Sequence, residues 1–174
     1  AEHGQVTIIT KRERSESNSR YAQGGIAAVW TDEDSFESHV DDTLIAGAGL
    51  CRREAVELTV REGPSRVREL IDFGAEFTRS EGEYSLHREG GHSVRRILHA
   101  ADMTGAEIVR ALVAACEKEP NIKICEHHMA VDLITENWVA RRQGEIPPER
   151  NRVHGAYVLD LKSNEVEVHA AKSV

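Results

Sequence analysis

Apolar residues in this chain run together first, then spread to helical spacing, then alternate. Residues 5–10, Gln-Val-Thr-Ile-Ile-Thr, are dominated by β-branched side chains and predict a buried strand. Phe36, Val40 and Leu44 recur every fourth position, so 35–46 reads as an amphipathic helix stopped by Gly47-Ala-Gly49. A second helix over 52–62 would turn Ala55, Val56, Thr59 and Val60 inward. Gly63-Pro64 should break it. Proline suits the first turn of a third helix, which would bury Val67, Leu70 and Ile71 and end at Gly74. Thr104-Gly-Ala-Glu107 fits a capping box that opens a fourth helix. Ile108, Ala111, Leu112 and Ala115 form its apolar face, and it ends before Pro120.

Strands dominate the remainder. Residues 122–125 and 130–135 predict two of them, and 153–161 with 165–171 predict a hairpin across Lys162-Ser-Asn164. Alternation is clearest at Val166, Val168 and Ala170. Between these lies 137–152, an expected exposed loop with Pro147-Pro148 and mixed charges. Residues 75–103 show no long period. Helices followed by a small antiparallel β-meander suit an α/β class, and the same order also fits any α+β domain.

Composition narrows the setting. The 174 residues suffice for a substantial core, and 40% hydrophobic with 30% charged residues is ordinary for a globular protein. The net charge of −8 argues against a nucleic-acid surface but leaves room for anionic ligands bound by local fields. Cys51, Cys116 and Cys125 show no CxxC spacing, so a disulfide framework or structural zinc is not expected and a reducing cytoplasm fits. No apolar run approaches the roughly 20 residues of a membrane span. The chain begins at Ala1 without methionine, so it carries little information on targeting.

The stretch 17–29, Ser-Asn-Ser-Arg-Tyr-Ala-Gln-Gly-Gly-Ile-Ala-Ala-Val, holds the clearest chemistry. Paired glycines let a backbone approach a flat ligand, and successive N–H groups can face phosphate. The same pattern also fits a strand followed by a plain tight turn. His39 with Asp41 and Asp42 offers metal ligands but fits a solvated acidic face better. His87, His92 and His99 with Glu89 are also close in sequence. None fits HExxH, and no metal is expected there.

Three ordered blocks together carry a resemblance. They are Tyr21-Ala-Gln-Gly-Gly-Ile-Ala-Ala28; Ser38-His-Val-Asp-Asp-Thr-Leu-Ile-Ala-Gly-Ala-Gly-Leu-Cys51; and His87-Arg-Glu-Gly-Gly-His-Ser-Val-Arg-Arg-Ile-Leu-His-Ala-Ala-Asp102 with Thr104-Gly105. The chain resembles the L-aspartate oxidases, within the succinate dehydrogenase/fumarate reductase flavoprotein family. The resemblance runs from about Val6 to the C-terminus and is weakest across 137–152.

That resemblance implies a partial Rossmann-like FAD-binding domain with a helical segment and the small meander. Residues 1–174 would be one incomplete domain, a fragment lacking the GxGxxG strand-turn-helix and the downstream catalytic and capping region. It implies FAD contacts at Lys11, Asn18, Ser19, Arg20, Tyr21, Ala22, Gln23, Gly24 and Gly25. Asn18 stands where the L-aspartate oxidases usually have serine and the respiratory enzymes a histidine bonded to flavin. FAD should therefore be non-covalent. Glu89 matches the glutamate that orients aspartate, with a charge-assisted hydrogen bond to its α-ammonium. Arg95, Arg96 and His99 could meet substrate carboxylates or FAD phosphate. The implied reaction oxidises L-aspartate to iminoaspartate, with oxygen or fumarate as acceptor, in cytoplasmic NAD synthesis linked to quinolinate synthase. Two alternatives stay open: another flavoprotein of the same family, separable by covalent flavin, and a binding module without redox chemistry.

Overall fold

The computed structural model describes residues 4–174. In chain order the elements begin with β1 (Val6–Thr10), a 3-10 turn (Asn18–Tyr21), β2 (Ile26–Ala27), α1 (Phe36–Ala46) and α2 (Arg53–Asp72). Short strands β3 (Arg79–Ser80), β4 (Glu83–Tyr84), β5 (Leu86–His87) and β6 (Ile97–Leu98) precede α3 (Thr104–Lys118). Then come β7 (Ile122–Glu126), β8 (His128–Thr135), α4 (Glu136–Gln143), β9 (Val153–Asp160) and β10 (Glu165–Ala170). They form two compact units: Ser17–Lys118, and the stretch up to Glu16 joined with Glu119–Val174. The α/β class holds, with one parallel pair and three antiparallel sheets among the described residues.

In the discontinuous unit, β1 pairs in parallel with β7, Val6 opposite Ile122. Parallel strands need a long crossover, and here it contains the whole Ser17–Lys118 unit. β1 is not the buried strand expected: Val6 is 39% and Ile8 36% exposed. Its sheet has β7 as its one partner among the described residues. Strands β8, β9 and β10 form the predicted meander around buried Val158 and Ala156. Val166 and Val168 remain exposed, so the alternating apolar positions of β10 do not mark a covered face.

Residues 137–152 are not all loop. Helix α4 occupies their first half, capped by the Thr135 hydroxyl, which accepts from Trp138 N–H, and stopped by Gly144 in the left-handed region. It buries Ala140 and sets Trp138 edge-on to Tyr157. A packed aromatic pair outweighed the local polarity.

The Ser17–Lys118 unit packs Ala28, Val67, Ala75, Phe77, Leu98 and Ala111 into one core. Fully buried apolar side chains such as Leu98 contribute about 1.5–3 kcal/mol each. The expected break at Gly63-Pro64 does not occur, because α2 runs through it. Val60, Pro64 and Val67 share the buried face, and their packing offsets the missing proline N–H. Gly74 ends α2 as expected, with φ +95°. The capping box is not formed. The Thr104 hydroxyl accepts from Ala100 N–H, while Glu107 accepts from Glu76 N–H and Arg110, one turn further on. Leu112 is 37% exposed, so the inward face of α3 is set by Gly105 and Ala111 instead.

Candidate functional site

The loop 17–25 is ordered by small residues. Ser17 caps the 3-10 turn, its hydroxyl accepting from Arg20 N–H at 3.3 Å. The Ala22 carbonyl then accepts from Gly105 N–H at 3.0 Å, which seats the loop on the start of α3. A Cβ on Gly105 would overlap the Ser19 carbonyl oxygen. Gly105 is thus a seat for this loop, a role no local pattern signalled.

The two glycines serve different neighbours. A Cβ on Gly25 would overlap the Leu98 carbonyl oxygen and the Ile97 side chain, so β6 closes against its backbone. A Cβ on Gly24 would lie 3.4 Å from Glu89 Oε1 and 3.6 Å from Oε2. The structure therefore brings Glu89 beside the glycine pair. Asn18, Ser19, Arg20, Tyr21, Ala22, Gln23 and Gly24 are exposed along this loop. The N–H groups of Gln23, Gly24 and Gly25 meet no acceptor among the described residues. Lys11 is exposed just beyond β1, in the discontinuous unit.

Glu89 sits in the loop 88–96 that joins β5 to β6, and its carbonyl accepts from His92 N–H. It makes no ion pair with Arg88 or Arg95 among the described residues. The far part of this loop is tied to α1. Arg96 is fully buried and forks onto Asp34 at 2.7 and 2.8 Å, reaching Asp42 at 2.8 Å. Ser93 donates to the same Asp42 oxygen from its N–H and its hydroxyl.

This corrects two expectations. Asp42 and His39 are not a solvated face: His39 is 7% exposed and Asp42 is engaged by the loop, while Asp41 alone stays in water. Arg96 is not a free anion-binding group. Burial pushes the Asp42 carboxyl up, but the hydrogen bonds from Ser93 and Arg96 and the nearby guanidinium charge outweigh it and hold it below its ordinary value. Burial, then the Arg96 charge, lowers His39. His99 is buried and stacks on His87 with ring centroids 3.7 Å apart, both its ring nitrogens without a partner.

Two clefts, of about 550 and 730 Å³, open beside α3 and along α1 and α2; neither is lined by Gly24, Gly25 or Glu89. Metal-ligand spacing occurs at a cluster not anticipated, His128, Asp160 and Glu167 on the meander. Each of these already has a protein partner: the Glu126 carbonyl, Lys162 N–H and His169 respectively.

The exposed glycine loop with its free N–H donors, faced by a carboxylate, offers the open backbone and donors that a flat, acceptor-rich ring would need. The FAD binding domain family matches residues 1–174, and the chain belongs to that family. Its cofactor is FAD. The free donors at 23–25 suit the carbonyl and ring-nitrogen acceptors of a flavin. The chain is 50% identical over 168 residues to the chloroplastic L-aspartate oxidase of Arabidopsis thaliana, covering 95% of this chain and 24% of that protein. It is 46% identical over 179 residues to the L-aspartate oxidase of Pseudomonas aeruginosa, covering 98% and 32%. A mutant of E. coli quinol fumarate reductase shares its fold with TM-score 0.77 and 27% identity, over 90% of this chain and 25% of that one. The chain spans about a fifth to a third of the length of the curated relatives it matches. No described helix is long and apolar enough to cross a membrane.

Proposed function

We propose that this chain is part of a longer FAD-dependent L-aspartate oxidase, which converts L-aspartate to iminoaspartate in NAD synthesis. Residues 1–174 are then one incomplete FAD-binding domain, and the GxGxxG element and further catalytic groups lie elsewhere in the protein. Fumarate or oxygen accepts the electrons, quinolinate synthase consumes the product, and the compartment is the cytoplasm. The placement of Glu89 beside Gly24 carries this reading. It puts an unpaired carboxylate against the loop that matches the flavin-contacting run.

Bound FAD supplies the hydride acceptor. Asn18 through Gly25 hold it, with Lys11 as a further contact. The carboxamide of Asn18 cannot form a histidyl–flavin bond, so the cofactor is held non-covalently. Glu89 accepts a charge-assisted hydrogen bond from the α-ammonium of aspartate and so orients it.

Glu89→Gln tests this in the full-length protein. The variant keeps the shape and removes the charge from a contact worth roughly 1.5–3 kcal/mol. The expected result is an aspartate kcat/KM lower by about ten- to a hundredfold. Fumarate has no ammonium group, so its reduction should change much less. Flavin occupancy is checked after acid precipitation, which should release FAD into the supernatant from both proteins. Equal losses for both substrates, or none, would reject the ammonium contact.

A further inference from the structure

We propose that Arg96 is a positioning residue: gripped by α1, it sets the loop that holds Glu89 beside Gly24. The inference rests on the reading of Glu89 given above. Arg96 has five N–H donors, and four of them make directed bonds to Asp34, Ser38 and Asp42. Nε and Nη2 fork onto Asp34, Nη2 also reaches Ser38 Oγ at 3.0 Å, and Nη1 donates to Asp42 and lies 3.5 Å from His92 Nδ1. With no exposure and its guanidinium engaged by Asp34, Ser38 and Asp42, Arg96 does not face a ligand itself. Its partners Asp34, Ser38 and Asp42 are four residues apart in sequence, so they form one row at the start and along one face of α1.

Such a network is weak evidence for stability, because desolvation of buried charges offsets most of the Coulomb gain. Its distinctive property is geometric. A guanidinium fork fixed by two carboxylates permits one orientation. That orientation is transmitted to the loop 88–96 at two points, and a third approach lies nearby. Arg96 N–H donates to the His87 carbonyl and closes the loop base. Ser93 is bound twice to the Asp42 oxygen that Arg96 also uses. Gly91, at φ +88°, faces the end of α1: a Cβ there would lie 3.5 Å from Ala46 Cβ, an ordinary contact distance. The remaining stretch, with Glu89 in it, makes no side-chain bond to α1. Its position is set by the clamp at Ser93 and Arg96 and by the strand at His87. A shift of about 1 Å at such a contact can cost on the order of a hundredfold in rate.

The test is a double-mutant cycle in the full-length, FAD-loaded protein: Glu89→Gln, Arg96→Lys and the pair, with kcat and KM for aspartate and for fumarate. Lysine keeps the charge but loses the fork. Arg96→Lys should lower aspartate kcat/KM about tenfold or more, with FAD occupancy and fumarate reduction near wild type. In the Glu89→Gln background the same change should cost less than about threefold, because the group it positions is already disabled. A merely structural role would cost the same factor in both backgrounds, and that result overturns the proposal. Ser93→Ala is a gentler second probe if Arg96→Lys folds poorly. It should show a smaller loss with the same dependence on Glu89, and an equal loss in both backgrounds would again overturn the positioning role. A silent Glu89→Gln would instead bring down the underlying reading. A Glu89→Gln that lowers aspartate kcat/KM, with independent, multiplying losses from Arg96→Lys, would bring down the positioning role alone.

Discussion

A methyl group at Gly25 would occupy the space of the Leu98 carbonyl oxygen, which is backbone and cannot move without shifting β6. A methyl group at Gly24 meets only the end of the Glu89 side chain, which can swing away. The same substitution at neighbouring positions should therefore have different consequences. Gly25→Ala should destabilise the protein by about 1–3 kcal/mol, the usual cost of overpacking. Gly24→Ala should stay within about 0.5 kcal/mol of wild type, yet lower aspartate kcat/KM by displacing Glu89. Thermal melts with parallel aspartate kinetics separate the two, and a large stability loss at Gly24 would contradict this account. The glycine pair was visible in the sequence, but its division of labour was not. That depends on β6 and the 88–96 loop, which approach from far along the chain. The role of Arg96 was not legible for a related reason. An arginine in a glycine-rich block looks available until Asp34 and Asp42 are seen to fill its donors.

Helix α2 carries two residues that oppose helix formation, Gly63 and Pro64, yet it is continuous. Pro64 leaves the Val60 carbonyl without its usual i+4 donor, while the Ser65 hydroxyl turns back to the Glu62 carbonyl at 2.7 Å. Gly63 gives up about 0.5–1 kcal/mol relative to alanine in a helix interior. A Cβ there would sit 3.9 Å from both the Ala27 carbonyl oxygen and Ala28 Cβ, ordinary contact distances. Gly63→Ala should thus stabilise the protein by about 0.5–1 kcal/mol. The urea midpoint should rise with the slope unchanged; a fall would mean that the glycine serves close packing. Helices α1 and α3 and the end of α2 were legible, because their apolar spacing and stop residues agree, and the β9–β10 hairpin was legible from strand-forming residues on either side of Lys162-Ser-Asn164. The continuity of α2 was not, since it depends on Val60, Pro64 and Val67 meeting a core assembled from distant strands. Helix α4 could have been read from Thr135 and Gly144, but the charges and prolines beyond obscured its short period. Strands β3 to β6 have two residues each, too few to show any period.

On the scale of the molecule, the chain is two compact units, and their buried and paired groups predict different responses to acid. In the Ser17–Lys118 unit, burial and the Arg96 charge lower the pKa of His39 from its ordinary 6.5. The unfolded chain then binds that proton more readily than the folded one, so this unit loses stability as pH falls below about 6.5. In the discontinuous unit, Arg14 holds Glu126 through its side chain at 2.9 and 3.2 Å and through its N–H at 2.7 Å. These bonds bring Glu126 down to about 2 from 4.5. Its contribution is complete above about 4.5 and is lost between there and about 2. The Ser17–Lys118 unit should therefore weaken first. Each unit has one tryptophan, Trp30 in the inserted one and Trp138 in the other, so fluorescence can report them separately. Urea melts of Trp138→Phe and Trp30→Phe proteins at about pH 7 and about pH 5 make the comparison. The midpoint reported by Trp30 should fall over this range, and that reported by Trp138 should stay nearly constant. Adding His39→Gln should flatten the Trp30 response. If both midpoints fall together, the units unfold as one and the acid response belongs to the whole chain. If neither falls, His39 is not held neutral by its surroundings.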